Sequence, residues 1–224
     1  MSHIKLITWW LRQGICKPVA WLEMIVFCLF ICVITALYFA QDQSSLSQYS
    51  AYVCWVSIML GGAFTVHRIW AEDANQGFLH QLQIMPLSLP VIYACKYISH
   101  TILFTFISLL CALICLFLLG SAPITNTGHL LTIMLLAAPL LSAIHCMVAV
   151  LLLDQNNNIF LVFMLTMPLY VPIMLFGLHG IQTNSDGAFN QALIGLAGLA
   201  LILLPCCSFF GILALKNHLQ NNTS

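Results

Sequence analysis

The sequence predicts an all-α membrane protein of six transmembrane helices, preceded by an N-terminal helix lying in the membrane interface. Three observations lead there. Of 224 residues, 62% are hydrophobic and 5% are charged, against about a quarter charged in an ordinary soluble domain. Six apolar segments are each long enough to cross about 30 Å of hydrocarbon at a rise of about 1.5 Å per residue. All six Lys and Arg residues fall on one side when those segments are threaded through a membrane.

The composition excludes whole classes of function. Too few polar side chains exist to cover a soluble globule, whereas apolar surface facing lipid needs no cover. Six basic residues against six acidic ones give a formal net charge of zero. No basic patch is available for nucleic acid.

The elements follow in order, and residues 1–224 read as a single transmembrane domain. In residues 1–17, Ile4, Ile7, Leu11 and Ile15 share one helical face with Trp10 at its edge, while Lys5, Thr8 and Arg12 occupy a neighbouring polar side. That is the pattern of a helix in the interface plane, with tryptophan at headgroup depth. Lys5, Arg12 and Lys17 break this first apolar run, so a cleaved signal is not expected. The spans are then read at 19–40, 49–69, 91–119, 129–153, 159–179 and 189–215.

The gaps between them are polar or carry turn residues. Residues 41–48 are polar, 68–90 is the long connection, 120–128 holds Pro123 and Asn126, 154–158 reads DQNNN, and 180–190 holds Asn184, Asp186 and Gly187. Lys5, Arg12 and Lys17 precede the first span, Arg68 and Lys96 flank the second loop, and Lys216 follows the last span. The opposite side has Asp42 and Asp186 but no Lys or Arg. The positive-inside rule therefore predicts cytoplasmic N- and C-termini.

The connection RIWAEDANQGFLHQLQIMPLSLP is the one sizeable polar segment. Past Gly77, the residues Phe78, Leu79 and Leu82 give a short helix an apolar face, and Pro86 and Pro90 fix the chain before the third span. Such a helix can dock in a groove of a soluble partner, or its apolar side chains can simply touch lipid headgroups. The residues alone leave both open.

This stretch resembles the second cytoplasmic loop of the haem-exporter permeases of cytochrome c maturation, the CcmB family. That family shows an Arg, an acidic pair, a Gly-x-Leu-x-x-Leu turn and a Pro-x-x-x-Pro exit, matched here by Arg68, Glu72, Asp73, Gly77, Leu79, Leu82, Pro86 and Pro90. Pro139, Pro168 and Pro172 are similar to prolines of the family's fourth and fifth spans, and the likeness runs the length of the chain. At His67, Gln76 and His80 the family is expected to carry acidic residues, so this loop is less negative.

The resemblance implies an ABC-2-type permease in the inner membrane, with residues 1–17 as its elbow helix and 68–85 as its coupling segment. Arg68, Glu72, Asp73, Gly77, Phe78, Leu79, Leu82 and Pro86 would contact a separate, CcmA-like ABC ATPase, and Glu72 and Asp73 would meet basic residues on its rim. CcmC- and CcmD-like membrane subunits, a CcmE-like haem chaperone and a second copy of the chain are the other implied partners. The alternative is a scaffold or haem-binding subunit that never cycles.

Chemistry within the chain is sparse. There is no G-x-x-x-x-G-K-[ST] phosphate loop, so ATP is expected in the partner, with no catalytic residue here. Ten cysteines lie mostly in apolar runs with no C-x-x-C pair and read as small hydrophobic residues, with no metal site. Among eight histidines, His129 and His179 lie near the outer interface and are the candidates for meeting haem, which is expected as cargo rather than as a bound cofactor. His145 reads as the most buried, and His100 lies about a turn past Lys96. Glu23, a turn into the first span, is expected to snorkel or to pair with Lys17 or Arg12. Gly61, Gly62, Gly195 and Gly198 offer close helix approach.

Overall fold

A computed structural model describes residues 3–16, 19–75, 87–119, 124–153, 159–182 and 186–221. The described residues form eight helices and no strand: α1 (His3–Cys16), α2 (Val19–Tyr38), α3 (Gln43–Val66), α4 (Ala71–Asn75), α5 (Leu89–Leu118), α6 (Ile124–Leu151), α7 (Ile159–Gln182) and α8 (Asp186–Asn221). Six of these (α2, α3, α5, α6, α7 and α8) are long and apolar enough to cross a membrane. The chain is an all-α, multi-pass membrane protein.

Helix ends overrun the apolar segments. α3 starts at Gln43 rather than 49, α6 at Ile124 rather than 129, and α8 runs to Asn221 rather than 215. Hydropathy marks where a chain faces lipid. A helix can continue into the polar interface, where water and headgroups satisfy its terminal amides and carbonyls.

The bundle is built around α6. Its spanning stretch is 78% buried, against 11% for α8. α6 packs on α3, α5, α7 and α8, while α2 lies against α3 and α5. The central helices are therefore rich in small residues: Ala137, Ala138, Ala143 and Ala149 are all buried in α6, as helix association in lipid requires. Rim helices turn large side chains outward. Leu22, Val26, Phe30 and Val33 form such a stripe on α2, and Ile98, Ile102 and Phe106 on α5.

Glycine decides one approach. A Cβ at Gly62 would meet Phe104 at 2.9 Å and His145 at 3.1 Å, so α3 reaches the α5–α6 seam only because no side chain intervenes. Gly198, by contrast, faces open space.

α1 packs on the bundle through one of its sides. Leu6 and Trp10 are buried, whereas Ile4 and Ile15 are exposed. Trp10 is thus the anchor of the helix rather than its edge. α1 has two apolar sides, one packed on α5 and one turned outward, because the bundle and the lipid each take an apolar face.

Candidate functional site

The polar side chains gather where α3 ends. Val66 closes α3, the turn 67–70 follows, and α4 begins at Ala71. Ile69 and Trp70 are buried by this turn, which holds α4 against the bundle. Two ion pairs form around it. Arg68 donates from its guanidinium to Glu23 of α2, and Lys96 Nζ of α5 lies 2.6 Å from Asp73 Oδ2 of α4.

The two pairs differ in kind. Arg68 and Glu23 are each about one-third exposed, at 34% and 33%, so water screens their attraction. Asp73 is wholly buried and Lys96 only 12% exposed. Lys96 is also held by aromatic faces, with Nζ 5.0 Å from the Trp10 ring and 5.5 Å from the Trp70 ring. Trp70 in turn meets Trp10 edge-on at 6.4 Å and stacks on Tyr93 at 6.2 Å. α1, α4 and α5 are therefore joined through a single ammonium group.

Three sequence expectations change here. Glu23 is expected to snorkel or to pair with Lys17 or Arg12, but its partner is Arg68, delivered to α2 by the turn after α3. Asp73 was to meet a partner's basic rim, but burial against Lys96 takes its carboxylate inside the chain. Arg68 likewise spends its charge on Glu23. Of the remaining coupling residues, the Glu72 side chain, Gly77, Phe78, Leu79, Leu82 and Pro86 lie outside the described residues.

His67 sits in the same turn, just past the spanning part of α3. Partial burial, and then the Arg68 charge beside it, hold its pKa below the usual histidine value, while Glu23 opposes this.

A second polar chain runs through the bundle interior. His100 Nδ1 lies 2.6 Å from Ser142 Oγ, and Thr101 Oγ1 lies 2.9 Å from that same oxygen. His145 Nε2 bonds the Tyr170 hydroxyl, and the Tyr97 hydroxyl donates to the Pro139 carbonyl at 3.1 Å. His100 and His145 meet edge to face, with ring centres 5.5 Å apart. Here the sequence signal was available: His145 on α6 and Tyr170 on α7 are isolated polar residues in apolar runs, and such residues need partners inside a membrane.

His129 and His179 are placed more plainly. His129 stacks on Phe189 at 3.9 Å, and His179 is exposed in the last turn of α7. The cysteines show more order than expected. Cys28 and Cys32 of α2 and Cys111 and Cys115 of α5 are all buried, and the two helices pack together. Their i, i+4 spacing on both helices was the legible sign of a shared face. All four thiols are free.

The profile of the family described as CcmB protein matches residues 1–216. The protein "Heme exporter protein B" of Paracoccus denitrificans is 27% identical over 197 residues, which is 88% of this chain and 90% of that one. The protein of the same description from Rhodobacter capsulatus is 26% identical, covering 78% of this chain and 80% of its own length. That of Haemophilus influenzae is 27% identical over 70% of this chain and 68% of its own.

Proposed function

The chain belongs to the CcmB family, and on that premise we propose that it is the permease subunit of a haem-exporting ABC transporter of the inner membrane. Both termini lie in the cytoplasm in this reading, which the distribution of Lys and Arg supports. The transporter serves cytochrome c maturation. ATP is hydrolysed by a separate CcmA-like chain, and CcmC-, CcmD- and CcmE-like proteins complete the system. Two copies of the permease pair with two ATPase chains.

One observation carries the mechanical part. The segment between α4 and α5 is bracketed by the Asp73–Lys96 pair, which joins the last described turn before it to the helix after it. Trp70 and Trp10 enclose the same ammonium. A push on the segment therefore reaches α1, α4 and α5 as one body, and Arg68 carries it on to α2 through Glu23. Asp73 and Arg68 act in this reading as transmitters of the movement. Phe78, Leu79 and Leu82 fill the groove of the ATPase, with Glu72 at its rim. Haem is cargo, and His129 and His179 are the positions from which an imidazole would meet it at the outer end.

The test is the double variant Leu79→Asp/Leu82→Asp, co-expressed with the ATPase. Insertion into the membrane should be normal while co-purification of the ATPase is lost. Full recovery of the complex would end the coupling reading. An ATPase rate indifferent to the permease would favour a scaffold that does not cycle.

A further inference from the structure

Between α1 and the ends of α2, α3 and α5 lies an open cleft with a cavity volume of about 80 Å³. Arg68, Lys96 and His100 line it together with Trp10, Trp21 and Leu103. We propose that this cleft binds the phosphate ester of an anionic phospholipid from the leaflet in which α1 lies.

The polar side of the cleft offers donors. Among the described residues that line it there is no Asp or Glu. Glu23 and Asp73, which balance Arg68 and Lys96, are not part of that lining. The cations thus face the cavity with their charge compensated from outside it. Arg68 Nε is buried and has no hydrogen-bond partner.

His100 supplies the second indication. It is 6% exposed, and its Nε2 also has no partner. In the tautomer in which Ser142 donates to His100 Nδ1, the imidazole proton sits on Nε2. A buried N–H without an acceptor is costly, and a phosphate oxygen would satisfy it. Charge-assisted bonds of this kind are the stronger sort.

The apolar side fits the rest of a lipid. Trp21 lies tilted against His100, with ring centres 5.6 Å apart, and Leu103 adjoins the outward stripe of Ile98, Ile102 and Phe106. Acyl chains can follow that stripe while the headgroup enters under α1. Basic pockets at helix ends are recognised lipid sites. With cations and no lining carboxylate, the cleft would repel an ammonium headgroup, which selects phosphatidylglycerol over phosphatidylethanolamine.

The full-length chain, delipidated in mild detergent, is titrated with the two lipids bearing the same acyl chains and followed by native mass spectrometry. Phosphatidylglycerol should be held about tenfold more tightly, and the double variant Arg68→Gln/Glu23→Gln should lose that preference. His100→Phe keeps the ring stacking but removes the donor, and it should weaken binding by about tenfold. Displacement of the lipid by millimolar inorganic phosphate would keep the site and make free phosphate its occupant. Equal retention of both lipids, or unchanged binding in the double variant with its fold intact by circular dichroism, overturns the proposal.

Discussion

Replacing Lys96 by Met should be among the most damaging single changes in this protein. Lys96 is the described partner of a fully buried carboxylate, with Nζ 2.6 Å from Asp73 Oδ2, while Asp73 Oδ1 already has no hydrogen-bond partner. Removing one member of such a pair costs about 3–5 kcal/mol. The Trp10 and Trp70 rings would also lose their cation, at about 0.5–2 kcal/mol. Native stabilities are about 5–15 kcal/mol, so the loss is a large share of the total.

The reverse change should hurt less. In Asp73→Ala the ammonium keeps two aromatic faces and is 12% exposed, whereas the lone Asp73 of Lys96→Met keeps nothing of that kind. Lys96→Met/Asp73→Leu should recover most of the loss, because an apolar pair of similar volume is often neutral against a buried ion pair. The assay is thermal unfolding of the purified chain in one detergent. The order expected is wild type, then the double variant, then Asp73→Ala, then Lys96→Met. A loss under about 1 kcal/mol for Lys96→Met would match an exposed pair and refute the burial on which the reasoning stands.

Two further outcomes are expected. Tyr170→Phe strips the partner from the buried His145 Nε2 and should cost about 1–3 kcal/mol in the same unfolding assay, whereas His145→Phe/Tyr170→Phe should cost less than the sum of its parts. His67 carries a folded-state pKa below its unfolded value of 6.5, so its contribution is complete above that pH and is lost as pH falls through it toward the folded value. His67→Gln should flatten the decline in stability on acidification below about 6.5, and an unchanged pH profile would remove His67 as its source.

Much of the architecture was legible because a membrane imposes one strong demand. Every backbone polar group must be paired within the segment, so a long apolar run is a helix. The helix ends were less legible. Residues 43–48 are polar and still helical, since hydropathy does not report on a helix outside the hydrocarbon. At the candidate site, Arg68 and Asp73 were visible as residues but not in their partnerships. Glu23 and Arg68 are far apart in the chain, and only the turn after α3 brings them together. The α1 helix is legible in its periodicity, but the side that meets the bundle is not. Trp10 and Leu6 face the bundle, and periodicity does not say which of two apolar sides meets protein.

Prolines sit inside three neighbouring helices: Pro139 in α6, Pro168 and Pro172 in α7, and Pro205 in α8. Each lacks an amide hydrogen, so the carbonyl four residues earlier loses its rung of the ladder. For Pro139, Pro168 and Pro205 those residues are Leu135, Met164 and Leu201, all with side chains turned outward. A helix yields most easily at such a place, with the proline on the outside of the curve. The wall formed by α7 and α8 therefore carries its own creases, at the exposed Pro168 and Pro205.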